Sequence, residues 1–299
     1  MKKFLIITAV IFGVVIIGIA AYLFYLFQST ASTAEEMHDP IGRTSELREG
    51  EPDLSNGDPF SMLLLGIDSE ESTSGRSDTM IVMTVNPELE SIKMVSIPRD
   101  SLVNIEGRGQ DKINHAYAFG GAELAMDTVE NFIDVPIDYY ATVNMESFID
   151  TVDMVNGVTV NNGLSFEYGG YTFPEGEIEL SGEEALAFVR MRKEDPQGDA
   201  GRNERQRQVI DAVINEGAQI SNITKIDDFL EILGDNAKTS FTFEEMRQVQ
   251  SNYRAARHNL EETQMRGEDA TIDGIYYMEI PDQTIQGIST ELNEHLQVQ

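Results

Sequence analysis

The sequence predicts an α/β domain, and three observations carry that expectation. Segments with the helical apolar period alternate with short strand-like runs from Phe60 onward. The first of those runs are apolar on both faces, the pattern of strands buried in the middle of a sheet. A chain of 299 residues with 41% hydrophobic content has material for an ordinary core, and no internal repeat is visible.

Composition narrows the function. The formal net charge of −31 argues against nucleic acid as a partner, because phosphate binding needs a net basic face. Such acidity reads as a solvated surface suited to a salty environment. Zero cysteines rule out a disulfide framework, thiolate metal sites and a cysteine nucleophile, and four scattered histidines argue against a zinc site. A metal would have to be held by oxygen.

Residues 4–27 are uncharged and almost wholly apolar, long enough as a helix to cross a bilayer at about 1.5 Å per residue. Lys2 and Lys3 precede the run and no Lys or Arg follows until Arg43, so the positive-inside rule expects residues 1–3 in the cytoplasm and the rest outside the cell membrane. A cleaved signal peptide is the competing reading, but its apolar core usually spans about 7–15 residues. Residues 28–58 are rich in Ser, Thr, Asp, Glu, Gly and Pro without apolar periodicity, which reads as a flexible extracytoplasmic stalk. The folded, extracytoplasmic domain is then 59–299.

Strands are expected at Ser61 to Ile67, Thr79 to Val85 and Ser91 to Ile97. Run as an antiparallel meander, they would bring Asp68, Arg76, Asp78 and Arg99 to one edge of the sheet. Two carboxylates with two guanidiniums suit a phosphate and its magnesium ion, or else form two surface ion pairs. Beyond them the sequence expects a helix beginning near Asp111 to His115, another from Gly121 to Asp134, a strand at Tyr139 to Val143, a helix at Met145 to Val155 and a strand at Val158 to Val160. Helices at about Ile226 to Leu233 and Phe243 to Arg257 and an edge strand at Tyr276 to Ile280 complete the domain. His115 and His258 read as surface or core residues, and the many methionines as core, although a lipid groove would have the same composition.

The cations concentrate between Ala187 and Gln208, where Arg190, Arg192, Lys193, Arg202, Arg205 and Arg207 occur together. A helix capped by Ser181, with Glu184 completing the capping box, should give way before Asp195-Pro196. A second helix should start after Gly198 with Asp199 as its cap, and counting back from Val213 through Val209 puts Gln206 and Arg202 on the core-facing row. Inward-facing polar groups in the first turns of a helix suit an anion site; the alternative is a charged loop paired to its own carboxylates.

Taken together, LLLGID at 63–68, GRSDTM at 75–80, SIPRD at 96–100, KIN at 112–114 and ALAFVRMRKEDPQGDAGRNERQ at 185–206 resemble the LytR-CpsA-Psr family of membrane-anchored bacterial envelope enzymes, mainly Gram-positive. The resemblance implies a three-layer α/β/α domain around a central mixed sheet. It implies transfer of a glycopolymer, such as wall teichoic acid or capsular polysaccharide, from a polyprenyl-pyrophosphate carrier to peptidoglycan. It further implies that Asp68 and Asp78 bind Mg²⁺, that Arg76, Arg99, Lys112, Arg190, Arg192, Arg202 and Gln206 bind the pyrophosphate, and that Asp68, Asp78 and Arg99 form the catalytic set. No motif matches beyond about Ser221.

The reaction so implied is a magnesium-dependent phosphotransfer in which a muramic acid 6-hydroxyl attacks the phosphorus bonded to the first sugar. Asp68, Asp78 and Asp199 are the candidate general bases. Two other activities fit the same residues: a pyrophosphatase that uses water as acceptor, and a non-catalytic membrane-tethered binder of the lipid intermediate.

Overall fold

The computed structural model describes residues 37–67, 75–217 and 237–298. The apolar run at 4–27, Asp68 and the helix expected near 226–233 lie outside the described residues; among those described, no helix is long and apolar enough to cross a membrane.

The centre is a six-stranded mixed sheet. Its strands are β1 (Phe60–Ile67), β2 (Ser77–Asn86), β3 (Ser91–Ser96), β6 (Tyr139–Val143), β11 (Ala237–Thr239) and β12 (Asn259–Gln264), in the order β11-β6-β1-β2-β3-β12. β1, β2 and β3 form the expected antiparallel meander, while β6 and β12 join it in parallel on either side. The alternation of side chains along each strand separates two cores. Leu63, Leu65, Met80, Val82 and Val95 point to one face, where α1 (His115–Ile133) and α6 (Asp282–Leu296) cover them. Phe60, Ile81, Met83, Ile92 and Met94 point to the other, against α4 (Asp199–Gly217), α5 (Phe243–Asn252) and the 3-10 turn Arg254–His258. The result is three layers, helix on sheet on helix.

A satellite core lies beside the sheet. It gathers α2 (Met145–Met154), β7 (Val158–Asn162), the hairpin β8 (Phe166–Tyr168) and β9 (Tyr171–Phe173), β10 (Gly176–Leu180), α3 (Gly182–Arg190) and the near side of α4 around Phe166, Phe173 and Phe188. Two more hairpins complete the domain, β4 (Leu102–Ile105) with β5 (Gly109–Lys112) and β13 (Glu268–Ile272) with β14 (Ile275–Glu279).

Several expectations shift. Lys112 closes β5, and α1 starts at His115, kinked where Gly120 and Gly121 leave helical geometry. Tyr276 to Ile280 is not the sheet edge: β14 forms a hairpin with β13 and is joined to the rest of the domain by one bridge, Met278 with Ser101, while β12 takes the edge position. The stalk expected over 28–58 is folded against the domain from Met37 onward. Arg43 pairs with Asp127 and Glu130, both at 2.7 Å, Arg48 pairs with Asp138 at 2.6 Å, and Leu54 is 2% exposed in the core. This strap is polar because its cations meet carboxylates of the body, so its composition reads like that of a loop.

Candidate active site

The polar residues converge where β1 ends, β2 begins and β3 ends. Arg99, three residues beyond β3, donates from Nη1 to Asp78 Oδ2 at 2.7 Å, and its Nε lies 3.6 Å from Asp100. Lys112 reaches the same carboxylate, Asp100 Oδ1, at 2.6 Å. A cavity of about 350 Å³ opens beside them, and Asp78, Arg99, Asp100, Arg202, Asn203, Gln206 and Arg266 contribute to its wall. Sequence reasoning therefore places Asp78, Arg99, Arg202 and Gln206 in one site, with Lys112 tied to it through Asp100. Arg76 is exposed just before β2, Arg190 is the exposed last residue of α3 and Arg192 is exposed two residues on, and none of the three belongs to that wall.

The cation-rich window divides by burial. Ser181 and Glu184 cap α3 as expected, the Glu184 carboxylate accepting from the Ser181 N–H at 2.9 Å, and the chain turns extended at Met191. Arg205 is buried and holds the turn together: Nε donates to Phe188 O at 2.9 Å, Nη1 to Asp195 at 2.5 Å and Nη2 to Met191 O. Asp195 lies against Gly201, where any side chain would displace it. Arg207 is buried as well and meets Glu262 at 2.9 Å, Ser96 Oγ at 3.4 Å and Glu204. Burial pushes the Glu262 carboxyl up, opposed by that guanidinium. These two arginines brace α3, α4 and β12, which leaves Arg202 and Gln206 of α4 facing the cavity.

The core-facing row of α4 also differs from the expectation. Val209 and Val213 pack into the satellite core, whereas Ile210 and Ile214 lie against the central sheet. Arg202, Gln206, Ile210 and Ile214, spaced by four, thus form one row. The first two line the polar cavity. Ile214 lines a second, apolar cavity of about 370 Å³ with Phe60, Met62, Met83, Met246 and Val249. Ile81 borders the polar cavity and Met83, two residues along the same strand and on the same face, borders the apolar one.

Sequence reasoning missed Asp100, although it stands in the SIPRD element, and Gln264 and Arg266, which follow no matched motif. Only their position beside β3 in the folded sheet brings the last two to the cavity.

For magnesium the available donors are oxygens. Asp78 uses Oδ2 for Arg99 and has a second carboxylate oxygen, and Asp100 stands on the same wall. Mg²⁺ is commonly held by one or two carboxylates with substrate phosphate oxygens and water, so the set fits. Among the described residues no three His, Asp or Glu side chains converge.

Comparisons with known proteins bear on the fold and the family. The family model described as LytR_cpsA_psr matches residues 24–294. The chain is 50% identical over 303 residues, covering 100% of both, to a polyisoprenyl-teichoic acid–peptidoglycan teichoic acid transferase TagU of Halalkalibacterium halodurans. It is 48% identical to TagU of Bacillus subtilis, covering 99% of this chain and 97% of that one. The crystal structure of B. subtilis TagU superposes with a TM-score of 0.65 at 49% identity, covering 80% of this chain and 97% of that one. A structure of TagT bound to LIIa-WTA superposes with a TM-score of 0.75 at 34% identity, covering 87% of this chain and all of the other. With the motifs, the sheet and the arginine-braced cavity all in agreement, the chain belongs to the LytR_cpsA_psr family.

Proposed function

We propose that this protein transfers a teichoic-acid-type glycopolymer from a polyprenyl-pyrophosphate carrier to peptidoglycan, forming a phosphodiester link. The observation that carries the reading is the row on α4. Over about 18 Å, at about 1.5 Å per residue, it passes from guanidinium and carboxamide to two isoleucines, and each end lines its own cavity on the same face of the sheet. A charged cavity continued by an apolar one matches an amphiphile with an anionic head and a prenyl tail. The homologues named TagU and the TagT complex with wall teichoic acid support that substrate class for the head and its polymer.

In this reading Arg202 and Gln206 hold the pyrophosphate, and Arg99 both orients Asp78 and faces the phosphorus. Arg76, Lys112, Arg190 and Arg192, which stand outside the cavity wall, are further candidates for holding the pyrophosphate. A bound Mg²⁺, held by Asp78 with Asp68, would neutralise phosphate charge. The acceptor 6-hydroxyl attacks the phosphorus bonded to the sugar, the P–O–P bond breaks, and polyprenyl phosphate leaves. An aspartate takes the hydroxyl proton, with Asp68, Asp78 and Asp199 as the candidates. Residues 4–27 serve as the membrane anchor, with residues 1–3 in the cytoplasm and the domain outside.

The test is transfer of labelled glycopolymer from its lipid carrier to peptidoglycan fragments. Arg202→Lys keeps the charge but removes the planar fork, and should lower transfer roughly ten- to a hundredfold, the worth of one charge-assisted contact of about 1.5–3 kcal/mol. Asp78→Asn and removal of magnesium should each abolish transfer. Wild-type rates in Arg202→Lys would overturn the reading, and equal release of polymer without acceptor would make the enzyme a pyrophosphatase.

A further inference from the structure

At the end of the sheet where β1 begins, the apolar cavity is bordered by charge: besides Phe60, Met83 and Ile214, its wall includes Arg254 and Arg257. Resting on the reading of residues 4–27 as a membrane anchor, we propose that these two arginines form a docking face for a bilayer that contains anionic phospholipid, each guanidinium taking a head-group phosphate.

The local structure sets the two side by side. They lie in the 3-10 turn Arg254–His258, where residues three apart stand in one row. Tyr253 and Ala256 make the buried row, 5% and 0% exposed, with the Ala256 N–H donating to Tyr253 O at 3.0 Å. The Tyr253 hydroxyl donates to Asp58 O at 2.5 Å, which ties the turn to the strap. Arg254 and Arg257 make the adjoining row, the first exposed and the second half-buried. Among the described residues neither meets a carboxylate, whereas their neighbours do: Arg247 pairs with Glu244 at 3.2 Å, and His258 stands 3.9 Å from Glu90.

Charge and connectivity select the occupant. With a formal net charge of −31 the chain as a whole is repelled by an anionic surface, so it can settle on one only through a face that is locally basic. From Met246 to Leu260 the sequence has three arginines and a histidine and no Asp or Glu, and that stretch carries the row. Guanidinium grips phosphate oxygens in two-pronged, charge-assisted contacts, and negative lipid charge adds attraction for each arginine near the surface. The chain that leads from the proposed anchor enters the fold close to the same cavity: His38 Nδ1 lies 3.2 Å from Phe241 O, and Phe241 lines that cavity. Leu89, 53% exposed in the turn before β3, adjoins Glu90 and so stands near His258, an apolar side chain available to enter the lipid.

The chain has no cysteine, so Leu89→Cys gives the full-length protein a single site for a fluorescent label. The labelled protein is reconstituted into vesicles of phosphatidylcholine alone, or of phosphatidylcholine with phosphatidylglycerol, and quenching by lipids spin-labelled at the head group reports docking of this face. Quenching should be strong with phosphatidylglycerol and weak without it, and should fall as salt is raised. Arg254→Gln and Arg257→Gln should each lower the ratio of docked to undocked protein about fivefold, whereas Arg254→Lys with Arg257→Lys should keep most of it. Equal quenching in both kinds of vesicle, or no loss in the glutamine variants, would overturn the docking face. Energy transfer between labelled copies in place of quenching by lipid would overturn it too, by assigning the face to a second copy of the chain. Protein that fails to enter either kind of vesicle would overturn the anchor reading, and the docking face with it.

Discussion

Replacing Arg205 by methionine separates bracing from binding within the same helix. The guanidinium is 6% exposed and its partner Asp195 5%, so the substitution strands a buried carboxylate and leaves the carbonyls of Phe188 and Met191 without their donor. Breaking a buried pair by removing one partner costs about 3–5 kcal/mol. Asp195 Oδ1 keeps the Gln197 N–H at 2.7 Å, which places the loss near the lower end, about 3 kcal/mol. For a domain of this size each kcal/mol moves the melting temperature by roughly 2–4 °C, so a fall of about 6–12 °C is expected. Adding Asp195→Asn should recover part of it, because a neutral amide is far cheaper to leave unpaired. Thermal unfolding followed by circular dichroism reads both, and Arg202→Met is read instead by head-group binding, which that change should abolish. A melting temperature of Arg205→Met within about 2 °C of wild type would refute the bracing argument.

His295 on α6, hydrogen-bonded to Thr84 Oγ1 at 2.7 Å and Ser91 Oγ at 2.8 Å, is held down to a pKa of about 4 by burial and by Lys93. The unfolded chain binds a proton at higher pH than the folded one. Stability should therefore fall as pH drops from about 6.5 to about 4, by roughly 2–3 kcal/mol, and His295→Asn should flatten that slope in urea unfolding. Arg48→Ala leaves Asp138, whose carboxyl burial already pushes up, without its 2.6 Å partner. Protease should then cut within 37–58 several times faster than in wild type, and an unchanged cutting rate would show that the ion pair does not hold the strap.

The central meander is legible because β1 to β3 carry apolar residues on both faces, a pattern that few other environments accept. The caps of α3, the restart of the helix at Asp199 and the pairing of Asp78 with Arg99 follow from local signals of that kind. β12 is different. Its sequence, NLEETQ, looks like a loop, yet Glu261 meets Lys93 and Glu262 meets Arg207, so its acidity is neutralised by residues far away in the chain. The same long-range pairing decides which arginines brace and which face the cavity: Arg205 and Arg202 stand one turn apart and differ only in what the folded sheet and the turn at Asp195 bring to them. Asp100 hides behind Arg99 in a motif whose other members draw attention first, and Arg266 follows a strand that is itself illegible.

The folded strap changes the reach of the molecule. If residues 4–27 lie in a bilayer, as proposed above, only residues 28–36 separate them from the strap that begins at Met37, a length of at most about 30 Å when fully extended. A leash of that length would hold the domain within a molecular diameter of the lipid surface, where a lipid-linked donor diffusing in the bilayer would be met at a high effective concentration. On that reading the acceptor would have to come to the membrane, and only strands inside the swing of the domain would be within reach.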